Sequence, residues 1–176
     1  WAQVGERVEL IAAGLIALGI NPEDRVALAA GTRYEWVVVD FGILSAGAAT
    51  TTVYPSTNAE DTAFIVANSG SRVVVYEWVV VDFGIMSNRA DLPAVEKVVI
   101  IDGTSDDDWV ITLDELEQLG KQLLADNPTA VTERIAVEKV VIIDGTSDDD
   151  WVITLDELEQ LGKQLLADNP TAVTER

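Results

Sequence analysis

The sequence has no cysteine and no histidine. Their absence removes disulfides, thiolate nucleophiles, imidazole bases and ordinary zinc sites from the available chemistry. Basic residues are scarce: 11 Lys+Arg stand against 31 Asp+Glu, a formal net charge of −20 at pH 7. Such a field argues against nucleic acid and anionic membrane surfaces as partners, since both select positive charge. What remains is carboxylate, hydroxyl, lysine or arginine chemistry. Long apolar runs are missing too. The longest uncharged stretch, residues 41–59, is broken by Ser, Thr, Pro and Asn and makes a poor membrane span. No basic-then-apolar leader opens the chain, so a cytoplasmic protein is expected. The first residue is Trp1 rather than Met, which reads as an excised piece.

With 48% hydrophobic residues and a mean hydropathy of +0.20, the chain is too apolar for an acidic disordered tail. Its 176 residues suit one compact core with an appendage. The appendage is visible as a repeat. Residues 94–134 (AVEKVVIIDGTSDDDWVITLDELEQLGKQLLADNPTAVTER) recur letter for letter as residues 136–176, with Ile135 alone between them. A shorter copy has the same lag of 42: YEWVVVDFGILS from Tyr34 returns as YEWVVVDFGIMS from Tyr76, differing only at Leu44 and Met86. Solenoid units normally vary around conserved core positions, and residues 1–33 show no such unit, so a tandem duplication is the better reading. Each 41-residue copy carries ten acids and three bases, a charge of −7. Most of the acidity therefore comes from one unit written twice.

Helical and extended segments alternate. Val4, Val8, Ile11, Leu15 and Leu18 fall at helical spacing within residues 3–18, and Gly19 followed by Asn21-Pro22 supplies a stop. Short apolar runs at 25–30, 49–54, 72–76 and 97–101 predict strands. Their near-continuous apolarity implies burial on both faces of a parallel sheet. Residues 58–67 predict a helix entered through Ser56-Thr57-Asn58 and ended by Asn68-Ser69-Gly70. Thr112-Leu113-Asp114-Glu115 has the capping-box pattern ahead of a stripe of Leu113, Leu116, Leu119, Leu123 and Leu124. The valines of WVVVDFGI favour a strand, whereas a helix over 34–46 would supply the crossover that parallel strands require. For its second copy, residues 78–85, both conformations stay open.

Candidate chemistry is thin. The run Asp106-Asp107-Asp108, repeated as Asp148-Asp149-Asp150, fails the calcium-loop pattern because Val110 and Ile111 stand where an oxygen ligand and a glycine are needed. A solvated loop, with its acids near a helix N-terminus, is the simpler reading. No Gly-rich loop ends in Gly-Lys-Ser/Thr, and no G-x-G-x-x-G follows a strand. Gly70 reads as a turn. Ser45 sits in G-x-x-S-x-G rather than the hydrolase elbow and has no histidine to activate it. All four lysines, Lys97, Lys121, Lys139 and Lys163, lie in the duplicated units; Lys121 and Lys163 fall on the polar sides of their helices. Trp36, Trp78, Trp109 and Trp151 read as packing residues, since no basic residues interleave with them.

The run GLIALGINPEDRVALAAGTRYEWVVVDFGILSAGAATTTVYPSTNAEDTAFIVANSGSRVVV resembles the N-terminal part of AMP-forming acyl-CoA synthetases, especially bacterial long-chain fatty-acid CoA ligases of the adenylate-forming superfamily. The likeness rests on Leu18-Gly19-Ile20 before Asp24-Arg25-Val26, on Tyr34-Glu35-Trp36, on Ser45-Ala46-Gly47-Ala48 and on Tyr54-Pro55-Ser56. Asp91-Leu92-Pro93, VEKVVIIDG and TLDELEQLGKQLLADNP resemble the next part of the same proteins. The resemblance implies an α/β, Rossmann-like, mostly parallel sheet flanked by helices, with YEWVVVDFGI helical at 34–46 and a duplicated βα unit at the C-terminus. It divides the chain into a partial N-terminal subdomain, 1–134, and a tandem duplicate, 136–176. The implied parent reaction is ATP-dependent formation of an acyl-adenylate and then an acyl-CoA, using ATP, Mg and CoA on a fatty acid.

This chain departs from that pattern in two places. After VVVYE it repeats WVVVDFGIMS where the family has an unrelated helical segment. After VTERIA it restarts VEKVVIIDG where the family proceeds to a Ser/Thr/Gly-rich phosphate loop. No catalytic, cofactor-binding or metal-binding residue can be carried over, and the chain alone is expected to be non-catalytic and to hold no cofactor. Two other origins fit the same letters: an artificial or mis-assembled chain without selected function, and an acidic, non-catalytic interaction scaffold. The duplicated strands 97–101 and 139–143 would compete for one place in the sheet, which predicts self-association through a free strand edge.

Overall fold

A computed structural model of the protein describes residues 1–77, 88–104, 106–134, 140–142 and 152–168. The chain divides into two compact units, Trp1–Ile135 and Ala136–Arg176.

In the first unit, α1 (Ala2–Ala17) leads to β1 (Arg25–Ala29), α2 (Tyr34–Ser45), β2 (Ala49–Thr52), α3 (Ala59–Ser69), β3 (Val73–Tyr76), β4 (Lys97–Ile100), β5 (Val110–Thr112) and α4 (Leu113–Asp126). All five strands are parallel, in the order β2-β1-β3-β4-β5. Burial explains the apolar runs. All of β3 and all but the first residue of β1 and β4 are buried, whereas the edge strand β2 is partly open. The expected α/β architecture is what the chain adopts.

The register sorts side chains onto two faces. Val26, Leu28, Val73, Val75 and Val99 join α1, α2 and α4 in one apolar layer. Ala27, Ala29, Val74, Tyr76, Val98 and Ile100 join Val66 of α3, Leu92, Val95 and Trp109 in the other. Alternate residues of one parallel strand thus serve opposite cores. On the first face α1 and α4 approach backbone to backbone. A Cβ placed on Gly120 would lie 1.9 Å from the Leu10 carbonyl oxygen, and one on Gly14 would lie 2.3 Å from that of Leu116. Across the same seam Arg7 Nε donates to Glu117 at 2.7 Å.

Helix ends follow their sequence signals. The Asn58 side chain accepts from the Asp61 amide at 2.9 Å, and Gly70 closes α3 in the left-handed conformation, φ 65°. Thr112 and Glu115 form a complete capping box. YEWVVVDFGILS is helical at α2, because Val38, Val39 and Ile43 are needed in the core and only a helix puts them on one face. Residues 78–85, the second copy, lie outside the described residues.

One strand was not expected. β5 lies between the acids at 106–108 and α4, pairing Val110 with Val98 and Ile111 with Val99. Three residues are too few to show a periodicity. The strand forms because the edge of β4 offers a ready ladder and Trp109 and Val110 find an apolar place.

The second unit contains β6 (Val140–Ile142), β7 (Val152–Thr154) and α5 (Leu155–Asp168). β6 and β7 pair in parallel, Val140 with Val152. That register is the register of Val98 with Val110 displaced by the repeat lag.

Candidate functional site

The sheet reverses direction between β1 and β3: the chain goes from β1 to β2 on one side, then returns across β1 to β3 on the other. In open α/β sheets the carboxyl ends of strands at such a point are where ligands bind. Three segments converge there. Gly31-Thr32-Arg33 leaves β1, Glu77 follows β3 and Asp102 follows β4.

Arg33 occupies the junction. Its Nη1 donates to Glu77 at 2.9 Å and to Asp102 at 2.5 Å, Nη2 reaches the other Asp102 oxygen at 3.3 Å, and Nε donates to Glu35 at 2.6 Å. Glu77 also accepts from the Gly31 amide at 3.1 Å, and its side chain is only 12% exposed. The hydrogen bond it donates to Asp102, followed by the one it donates to Glu35, makes the guanidinium hold its proton even more firmly than a free arginine does. The Arg33 guanidinium in turn holds the Glu35 carboxyl below the ordinary range, against the opposing effect of partial burial.

Three carboxylates on one guanidinium make a local charge of −2, and the arginine is committed to them. Beside the cluster, a groove at the ends of β4 and β5 is lined by Asp102, Gly103, Thr104, Thr112, Asp114 and Glu115. Its acids repel a polyphosphate, and the α4 N-terminus within it is already capped by Thr112 and Glu115. The arrangement ties strand ends together. The Thr112 hydroxyl, which donates to Glu115 at 2.9 Å, is engaged in the helix cap, and among the described residues no group of acidic side chains is placed to hold a metal ion.

The residues singled out from sequence have structural places. Asp107 accepts from the Trp109 amide at 2.8 Å and faces Arg89. Trp109 is buried, donates from Nε1 to the Val95 carbonyl at 3.1 Å and carries Arg89 over its ring at 4.5 Å. Trp36 packs partly buried against the first core, and Lys121 is exposed. Ser45 lines an open apolar groove with Trp1, Val4, Val8, Phe41 and Leu44. Trp78, Trp151 and the acids at 148–150 lie outside the described residues. The Arg33 cluster itself escaped sequence reading. Its one signal is a charged residue in the turn after a buried parallel strand.

The sequence profile of a family described as "AMP-binding enzyme" matches residues 1–152. The chain belongs to that family. The long-chain-fatty-acid–CoA ligase FadD15 of Mycobacterium bovis is 30% identical over 135 residues, covering 77% of this chain and 21% of that protein. The long-chain-fatty-acid–CoA ligase heimdall of Drosophila melanogaster is 32% identical over 98 residues, covering 56% of this chain and 14% of its own. Among solved structures, the anthranilate CoA ligase AuaEII in complex with anthranoyl-AMP superposes with a TM-score of 0.60 at 23% identity, over 66% of this chain and 21% of that one. This last likeness concerns the fold. The chain spans about a fifth of the length of FadD15.

The family's name implies a nucleotide, and the switch point of this AMP-binding family member does not present free phosphate donors. A phosphate needs unengaged donors, and the switch point instead holds an arginine already bonded to three carboxylates.

Proposed function

We propose that this chain is the N-terminal α/β portion of an AMP-forming fatty-acyl-CoA synthetase, residues 1–134, followed by a duplicated βα unit, residues 136–176, and that it does not catalyse the parent reaction by itself. That reaction is activation of a carboxylate by ATP to an acyl-adenylate, followed by thioester formation with CoA, and Mg, ATP, CoA and the fatty acid belong to the longer protein. The observation that carries the reading is Arg33. The position where an open α/β sheet normally receives its ligand holds a partly buried ion cluster instead. The portion thus acts as a scaffold whose remaining surface supports other parts of the ligase.

We place the protein in the cytoplasm. No described helix is long and apolar enough to cross a membrane. Nucleic acid is not a partner in this reading, given the charge of −20. Incubating the purified chain with a fatty acid and Mg-ATP tests the proposal: acyl-adenylate at the level of a protein-free blank is expected, and a clear excess over it would end the non-catalytic reading.

A further inference from the structure

Every residue with which the first copy of the repeat fills its place in the sheet has an identical counterpart 42 positions on. The first copy is anchored by Val98, Val99 and Ile100 of β4, by Trp109 and Val110, by Leu113 and Leu116 of α4, and by Val131. Gly120 allows the backbone contact with α1, and Glu117 meets Arg7. The second copy offers Leu158, Glu159 and Gly162 at the matching helix positions, and it reproduces the strand register. Within its leucine stripe Leu158, Leu161, Leu165 and Leu166 are 42–55% exposed, and among the described residues no atom lies within 4 Å of a Cβ placed on Gly162.

We propose that residues 136–176 are a second occupant of the place on α1 and β3 held here by residues 94–134, and that the chain exchanges between the two arrangements. The residues contributed by the repeat are identical in sequence, so the bias comes from what lies outside it: Leu92 in the core beside Trp109, Arg89 over the Trp109 ring, and the shorter connection to β3, all of which favour the first copy. With the first copy in place, residues 77–96 link β3 to β4; with the second, the link is residues 77–138 and carries the displaced first copy as an insertion. Lengthening the link from 20 to 62 residues lowers the closure probability about fivefold. At most about one molecule in six should therefore hold the second copy in the sheet.

The two glycines separate exchange from its absence. In the full chain, G120L bars the first copy, because a side chain there meets the Leu10 carbonyl, while Gly162 still admits the second. Exchange predicts that G120L weakens the folding equilibrium in urea by about sixfold or more, and by less than the double variant does. G162L, which also controls for helix propensity, should leave it unchanged or slightly raised. The double variant should lose on the order of a hundredfold. Amide exchange read by mass spectrometry should show α5 protected and α4 open in G120L, the substitution itself distinguishing the otherwise identical peptides. In a chain carrying only the exposed mass tag K163R, a protected fraction of the α5 peptide of up to about one sixth should appear. If G120L is as damaging as the double variant, or α5 stays unprotected in both G120L and K163R, the second copy does not enter the sheet.

Discussion

Arg33 Nη1 stands 2.9 Å from Glu77 Oε1, which ties the turn after β1 to the residue after β3. At the opposite end of the same strands, Arg72 bridges Asp24, ahead of β1, and Glu96, ahead of β4. The sheet's central strands are thus held at both ends by an arginine between carboxylates. R33M should remove the partner of three carboxylates at once and destabilise the first unit by about 1–2 kcal/mol, the range for a partly buried, charge-assisted contact. A urea titration followed by tryptophan fluorescence measures it. An unchanged midpoint would show that the strand ends do not depend on the cluster.

The same cluster gives a pH dependence with a definite sign. Glu35 titrates below its ordinary value of 4.5 because Arg33 stabilises its charged form. A carboxylate depressed in the folded state contributes stability in full above the unfolded value, and loses it as pH falls through the folded one. The stability difference between wild type and E35Q should therefore be constant from pH 7 to about 5 and close as the pH drops below 4.5. Denaturant titrations at stepped pH check this, and a difference that stays constant to pH 3 would sink it.

How much of this could be read in the letters depends on how local the cause is. Asn58, Gly70 and the Thr112–Glu115 box act within one helical turn, and all three stand where their residue types place them. The YEWVVVDFGI motif shows the opposite case. Tyr34 opens α2, whereas Tyr76, in the same local sequence, ends β3 between Ala29 and Ile100. Packing neighbours, not intrinsic propensity, decide between those states. β5 depends on the edge of β4 to exist as a strand. The Arg33 cluster joins residues 44 and 69 positions apart, and no spacing rule relates such residues before the strands are aligned.

Removing the cap on α4 probes the seam with α1. Thr112 Oγ1 accepts from the Glu115 amide at 3.1 Å, and the Glu115 carboxylate accepts from the Thr112 amide at 2.7 Å. Without the hydroxyl, one donor at the helix start loses its partner, and T112A should lower stability by about 1 kcal/mol. T112S keeps the oxygen and should recover most of that loss. Equal urea midpoints for T112A and wild type would mean that solvent satisfies the helix start as well as the hydroxyl does.

Charge should govern how these molecules meet. At −20, two chains repel at low ionic strength, while β6 and β7 form a two-stranded ladder and α5 exposes four leucines, the kind of surface that invites pairing with another chain. Salt shortens the reach of the repulsion to roughly 10 Å at 0.1 M and 3 Å at 1 M but leaves strand pairing and apolar contact intact. Self-association should therefore grow with added NaCl, contrary to an assembly held by opposite charges, which salt would dissolve. Static light scattering across that range should show the mean mass rising above 19.0 kDa, and V141K, which places a charge on β6, should blunt the rise. A strict monomer at every salt concentration would show that repulsion was not what kept the chains apart, and that the duplicated unit satisfies its own edges.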